Sequence, residues 1–398
     1  MMNERVNIGF FGCRNVGKSS LVNVVTNQDM SVVSDVKGTT TDAVKKTMEI
    51  LPIGKVLIID TPGYDDEGEL GEKRVEATKK ILRNCDIAVL VTEANRELNK
   101  AEDELISIFK ERGIPYIIAK NKADVIEKYE NSGNVVFTSA VDKTGVEELK
   151  ELIGKSIKEE KKIRLVGDLI NPKDIVVLVT PIDESAPKDR LILPQQMAIR
   201  DILDSGAVAI VTKETELEQT LNSLKEKPAL VITDSQVFKL VNEIVPEEIP
   251  LTSFSILMAR YKGFLDVAVN GAKAIDKLKD GDKVLIAEGC THHRQCEDIG
   301  TVKIPKLLKK FTGKELNLEW TNGMGFPEDL KQYDLIIHCG GCMLNGNEIK
   351  YRMDLAVKEK VPFTNYGTAI AYMNGILERS LYCIKWTIVS KTNSIILL

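Results

Sequence analysis

Histidine is almost missing from this chain: His292, His293 and His338 are the only three among 398 residues. An excess of basic charge is missing too. Lys and Arg number 54 against 59 Asp and Glu, a net charge of −5, so composition gives no reason to expect nucleic acid or an anionic membrane as partner. No apolar run reaches the roughly 18 residues of a bilayer span, which argues against a membrane helix. The seven cysteines are odd in number and follow no secretory signal. A disulfide framework is therefore not expected, and a cytoplasmic location is. Low-complexity segments and short-period repeats are absent. What remains is ordinary for a globular protein, at 43% hydrophobic and 28% charged residues. The length exceeds what one core usually fills and implies two or three domains.

The few histidines are not scattered. Cys290-Thr-His292-His293 and His338-Cys339-Gly-Gly-Cys342 hold all three, and Cys296 lies close by. Ligand-type residues at C-x-H and H-C-x-x-C spacing can turn to one point, as a metal centre requires. The apolar runs 283–289 and 334–338 read as buried strands, so both half-motifs follow strand carboxyl ends, where ligands of parallel α/β sheets bind. Gly340 and Gly341 allow backbone amides to approach a metal-bound sulfur. The residues leave the metal open: zinc takes mixed Cys and His sets, whereas iron–sulfur clusters favour thiolates.

A second site is written at the start of the chain. The strand 6–11 feeds Gly12-Cys-Arg-Asn15-Val16-Gly17-Lys18-Ser19, followed by a helix from Ser20. This is the setting of a phosphate-binding loop, with amides around the phosphates, Lys18 on the β/γ oxygens and the Ser19 hydroxyl on magnesium. Asp60-Thr-Pro-Gly63 closes a strand, placing Asp60 at the magnesium shell and the Gly63 amide at the γ-phosphate. Asn121-Lys122-Ala-Asp124 closes another, and Ser139-Ala140 a third. The Asp124 carboxylate can accept from guanine N1–H and the 2-amino group, donors that adenine lacks, so the nucleotide is GTP or GDP. Ser139 and Ala140 supply the backbone contact to the guanine oxygen.

Between these sites, residues 165–265 read as a second α/β unit. Strands are expected at 174–180, 207–212 and 229–233, and helices at 195–204 and 214–224. It has no histidine or cysteine, and its acids lie at helix-face positions, so a structural or subunit-contact role is expected. Farther on, helices are expected at 303–311 and 351–358, with a strand at 316–320 and another strand end at 361–367. Cys85 and Cys383 read as packing cysteines.

The GTPase motifs resemble those of translation-factor-like GTPases, most closely the group around the tRNA-modifying GTPase TrmE. Asn15 stands where that group places a potassium-coordinating asparagine, and Gly38-Thr-Thr40-Thr-Asp42 is close to its switch sequence. The resemblance implies that Thr40, with Thr39 or Thr41 as fallback, meets magnesium and the γ-phosphate. Tyr64 stands where Ras-type proteins carry a water-positioning glutamine, so potassium is expected to offset transition-state charge. Over nearly its whole length the chain is similar to the HydF family, maturation GTPases of iron-only (FeFe) hydrogenases. The similarity rests on the two ligand segments, on 298–305 and on Thr364-Asn-Tyr-Gly367. It implies three α/β domains: a P-loop GTPase domain at 1–162, a dimerisation domain at 163–265 and an iron–sulfur domain at 266–398. It further implies a 4Fe-4S cluster on Cys290, Cys339 and Cys342; three thiolates leave one iron open, as a docking site needs, so water, His292 or His338 is expected there. The cargo would be a transient di-iron precursor made with HydE and HydG and passed to apo FeFe hydrogenase by a homodimer. The competing expectation is a potassium-dependent GTPase of RNA modification or ribosome assembly with a zinc-stabilised C-terminal domain. A nickel-delivery GTPase would need a His-rich tract that the chain lacks.

Overall fold

The computed structural model describes residues 6–27, 44–64, 78, 80–157, 164–182, 191–289, 298–323, 325–341, 344 and 346–392. The chain divides into two compact units, Asn3–Glu160 and Lys161–Leu398.

The first unit is one six-stranded sheet. Its strands are β1 (Val6–Phe11), β2 (Val44–Ile50), β3 (Gly54–Asp60), β4 (Ile87–Glu93), β5 (Tyr116–Asn121) and β6 (Val135–Phe137). They lie in the order β2-β3-β1-β4-β5-β6, parallel except for β2. The central strands are apolar along their length, as strands covered on both faces must be. Helices α1 (Lys18–Thr26), α2 (Lys100–Glu111) and α3 (Val146–Ser156) flank the sheet. The chain leaves β1 toward β3 on one side and β4 on the other, so a crevice opens at the end of β1, where the phosphate-loop sequence stands.

The second unit holds two parallel sheets of four strands. One contains β7 (Ile175–Val179), β8 (Val208–Thr212), β9 (Leu230–Thr233) and β10 (Leu251–Ser253), ordered β10-β9-β7-β8. Its helices are α4 (Leu193–Asp204), α5 (Leu217–Ser223), α6 (Phe238–Ile244), α7 (Phe254–Tyr261) and α8 (Leu265–Ala272). The other contains β11 (Lys283–Ala287), β12 (Asn317–Thr321), β13 (Leu335–His338) and β14 (Phe363–Asn365), ordered β12-β11-β13-β14. With it go α9 (Ile304–Thr312), α10 (Gly346–Lys358), α11 (Tyr366–Met373) and α12 (Leu377–Thr392). The two sheets share one apolar core that takes Val177, Val231 and Leu251 from the first and Leu285, Ile336 and Phe363 from the second. Their carboxyl ends also meet through polar contacts. Asn365 Nδ2 donates to Ser255 O at 3.1 Å, and Lys303 Nζ donates to Gln236 Oε1 at 2.7 Å. A Cβ on Gly367 would fall 2.3 Å from Ser255 Cβ, so glycine is what lets these ends approach.

Three elements differ from the sequence expectation. The helix expected at 351–358 begins at Gly346, and that expected at 303–311 is preceded by a wide turn over Ile299–Lys303. The segment expected as one helix at 214–224 is a short turn, Glu214–Glu216, followed by α5. Leu217 is fully buried, so the regular helix starts where burial starts.

Candidate nucleotide site and metal loop

The phosphate loop is shaped by residues with left-handed backbone: Asn15 has φ 58° and Gly17 φ 87°. A Cβ on Gly17 would lie 2.4 Å from Asn121 Nδ2, and one on Gly12 2.2 Å from Val91 O, so both close approaches need glycine. Asn121 Nδ2 donates to Val16 O at 2.9 Å, which ties the end of β5, expected to read the base, to the phosphate loop. Lys18 is buried and donates from Nζ to Gly12 O at 3.0 Å and Cys13 O at 2.7 Å. The Ser19 hydroxyl donates to Asp60 Oδ2 at 2.6 Å. Two oxygen ligands that the sequence assigns to magnesium are thus already in contact, a donor set that suits a small hard cation. The half-buried Ser20 follows in the first turn of α1.

At the base end, Lys122 has φ 64° and pairs with Glu93 at the end of β4. Asp124 is exposed on a short turn after β5, and Ala140 is half-buried. Ser139 is buried, and its Oγ accepts from the Val141 and Asp142 amides at 3.1 and 3.3 Å. Gly63 is half-buried, and the next residue donates its amide to Gly12 O at 3.2 Å. That next residue, Tyr64, is buried in an apolar group with Phe11, Leu82 and Phe109. It is therefore a packing residue, consistent with a site that has no glutamine there. Thr40, with its neighbours Thr39 and Thr41, lies outside the described residues.

In the second unit the loop that the sequence marks as a candidate metal site stands at the switch point of the third sheet. The chain goes from β11 outward to β12 and returns on the other side to β13. Ala287 and His338 are register partners at the last step of the β11–β13 ladder. Gly289 and Cys339 follow them, and the Cys339 amide donates to Ala287 O at 2.8 Å. Cys339 Sγ accepts from the Gly289 amide at 3.0 Å and the Gly341 amide at 3.3 Å. Two amides aimed at one sulfur stabilise a thiolate, the form that binds metal. They come from the residues next to Cys290 and Cys342, so the described atoms fit a thiolate-held metal group. Cys290, His292, His293, Cys296 and Cys342 themselves lie outside the described residues. Among the described residues no three His, Cys, Asp or Glu side chains gather as a metal-holding group.

His338 is fully buried behind this loop. Its Nδ1 lies 2.7 Å from Cys339 O and its Nε2 3.1 Å from Arg352 Nη1. A carbonyl only accepts and a guanidinium only donates, so Nδ1 carries the proton and Nε2 takes a hydrogen bond. Burial, and then the Arg352 charge, push the imidazole down to about 3, which keeps it neutral. In this arrangement neither nitrogen is left for a metal, and the ring orients Cys339. The expectation of His338 as a fourth ligand meets that geometry, whereas His292 lies outside the described residues.

Sequence reasoning missed the residues that brace the loop. Arg352 and Glu348 on α10 form a buried pair at 2.8 Å, and Arg352 Nη2 donates to Gly323 O at 2.6 Å. Tyr366 donates its hydroxyl to Glu288 Oε1 at 3.1 Å, beside Gly289. Burial, with Glu288 and Cys339 adding to it, pushes the Tyr366 phenol up and keeps it a donor. Lys262 Nζ donates to Gly341 O and Leu344 O at 2.6 and 2.7 Å. No motif announces Arg352, Glu348 or Lys262, and only the fold brings them to the loop; Tyr366 alone lies in a segment, Thr364-Asn-Tyr-Gly367, that the sequence singles out.

Residues 165–263 match the family model described as the hydrogen maturase F dimerization domain, and 266–383 that of the hydrogen maturase F tetramerization domain. Together they take in more than half of the chain. Residues 7–122 match the model of a 50S ribosome-binding GTPase, so the first unit is a GTPase domain. The chain is 29% identical over 246 residues to the tRNA modification GTPase MnmE of Thermoanaerobacter sp. (strain X514), covering 57% of this chain and 52% of that protein. It is 33% identical over 129 residues to GTPase Der of Clostridium acetobutylicum, covering 31% of this chain and 29% of that one. The chain thus spans about half the length, or less, of these relatives. Similar solved structures include a point variant of Aquifex aeolicus Era bound to GDP and aluminium fluoride, at 20% identity and TM-score 0.36, covering 52% of this chain and 93% of that one. Among the described residues no helix is long and apolar enough to cross a membrane.

Proposed function

The chain belongs to the hydrogen maturase F family, and from that premise we propose that it is a GTP-hydrolysing scaffold in the maturation of FeFe hydrogenase. It would hold a 4Fe-4S cluster on Cys290, Cys339 and Cys342, accept a di-iron precursor as cargo from HydE and HydG, and release it to apo-hydrogenase. The observation that carries this reading is the Cys339 sulfur, held by the Gly289 and Gly341 amides at the β11–β13 switch point. The cluster, when bound, supplies an iron to which incoming cargo can attach. The chain's own residues do the rest. Three thiolates anchor three irons and leave the fourth without one. Water or His292 is assigned there, because His338 spends both nitrogens on Cys339 and Arg352.

In the GTPase domain, Lys18, Ser19 and Asp60 would bind the phosphates and magnesium, with Thr40 and the Gly63 amide completing the γ-phosphate shell. Asn121, Lys122, Asp124, Ser139 and Ala140 would read guanine. Asn15, held in left-handed backbone, supports a potassium site, since Tyr64, where Ras-type proteins carry the water-positioning glutamine, is buried. Homodimers are assigned to the middle domain, whose outer strand β8 pairs, among the described residues, with β7 alone.

Anaerobic purification tests the proposal. A brown protein with equal iron and acid-labile sulfide, which activates apo-hydrogenase after incubation with HydE and HydG, is expected. A colourless protein carrying zinc would overturn it in favour of the RNA-linked reading. Turnover of GTP should be slow and faster in potassium than in matched sodium salt, and equal rates would remove the potassium site.

A further inference from the structure

Lys262 ends α7 in the domain that matches the dimerization model, yet its ammonium is spent on the other sheet's metal loop. It donates to Gly341 O at 2.6 Å and Leu344 O at 2.7 Å. Those two carbonyls belong to one turn, closed by the Leu344 amide donating to Gly341 O at 3.0 Å. Gly341 has φ 60° and gives its amide to Cys339 Sγ. The turn therefore brackets Cys342 in sequence, with Cys339 held at one end and Lys262 locking both ends together. Half-buried Lys262 also places a positive charge on the carbonyl of Gly341, the residue whose amide meets Cys339 Sγ.

We infer that Lys262 is a positioning residue for the candidate metal loop: it fixes the turn, closed by Leu344 N–Gly341 O, whose Gly341 amide holds Cys339 Sγ, and it brings a cation to that turn. The inference rests on the reading of Cys339 and Cys342 as cluster ligands. It assigns the middle domain a second task besides subunit contact. A lysine delivered by the dimer domain makes the loop's geometry depend on how that domain is seated. An aspartate or glutamate could not serve, because the acceptors are carbonyls; a second cation could.

The test compares full-length Lys262→Met and Lys262→Arg proteins with the parent. Methionine keeps the stem and removes charge and donors. In the apo-protein, hydrogen exchange at the Leu344 amide should quicken about tenfold or more in Lys262→Met, since the opened turn loses its clamp. After anaerobic reconstitution, Lys262→Met should show a lower cluster midpoint potential and several-fold faster cluster loss to a chelator. Removing a nearby positive charge disfavours the added electron. Lys262→Arg should restore all three readouts toward the parent, and GTP binding should be unchanged in both variants. Lys262→Met with parental exchange, potential and chelator rate would overturn the inference, as would Lys262→Arg behaving like Lys262→Met. If the parent itself takes up no cluster, the scaffold reading fails instead, and the apo-protein exchange still decides the clamp.

Discussion

Arg352 donates to His338 Nε2 at 3.1 Å from a position where neither residue touches solvent. The same guanidinium pairs with Glu348, reaches Gly323 O and lies over the Phe326 ring at 5.0 Å from its centroid. One side chain thus ties β13, α10 and the end of β12 behind the metal loop. A buried charge is tolerable only when paired and hydrogen-bonded; Arg352 is paired with Glu348, and each of its three nitrogens meets an acceptor.

Arg352→Met should therefore cost about 3–5 kcal/mol, because it strands the Glu348 carboxylate and the His338 and Gly323 acceptors. Denaturant unfolding of the full chain reads the loss. Adding Glu348→Leu should recover part of it, as an apolar pair replaces an uncompensated charge. A single variant within about 1 kcal/mol of the parent, the range of an exposed ion pair, would contradict the buried bridge.

Asp124→Asn should weaken guanine preference and raise affinity for xanthosine triphosphate. The purine 2-position offers an acceptor in that nucleotide, and an amide supplies the donor that a carboxylate lacks. Competition binding with the two nucleotides measures the switch. GTP selectivity left unchanged would mean that Asp124, exposed in this structure, does not read the base.

The nucleotide site was legible because its chemistry sits in short motifs at strand ends. Ser19 and Asp60 are 41 positions apart, but each is named by its own motif, and the fold needs only to join them. The metal loop was half legible. Cys339 announces itself by spacing, while Lys262 is one lysine among many and lies 79 positions from Gly341. The start of α10 was hidden for a related reason. The expected helix begins at Tyr351, past Glu348, whose burial against Arg352 only the fold shows. Period-based reading assumes that charges face water, and this pair breaks the assumption.

Acid should loosen the base end of the GTPase domain through Glu102. Burial alone would raise its carboxyl, but the two-pronged contact from Arg96 and the Asn99 amide outweigh it and hold it below the ordinary 4.5. A carboxyl depressed on folding stabilises above its unfolded value and loses that contribution as pH falls through its folded value. The stability gap between the parent and Glu102→Gln should thus be widest near neutrality and close as pH drops below 4.5. Thermal unfolding across that window checks the sign, and a gap independent of pH would remove the charge from the argument.

The last prediction concerns the outer edge of the middle sheet. In β8, Val208 and Val211 project from opposite faces, since side chains alternate along a strand. Both are nonetheless exposed, at 49% and 44%, although Ile210 and Ala209, which alternate with them, pack against the domain's cores. Leu203, on the preceding helix, is 56% exposed. An apolar edge strand with unspent amides and carbonyls is a template for pairing with another chain, and soluble proteins blunt such edges unless they use them. This edge has no lysine or proline within Val208–Thr212 to blunt it. A second copy pairing through β8 would cover both valines at once. Val211→Lys should therefore shift the protein from dimer toward monomer in sedimentation at micromolar concentration while GTP binding persists, because the nucleotide site lies in the other unit. Val125→Lys, at a still more exposed apolar site in the GTPase unit, serves as control and should leave the assembly intact. A Val211→Lys protein that sediments with the parent would place the dimer contact elsewhere.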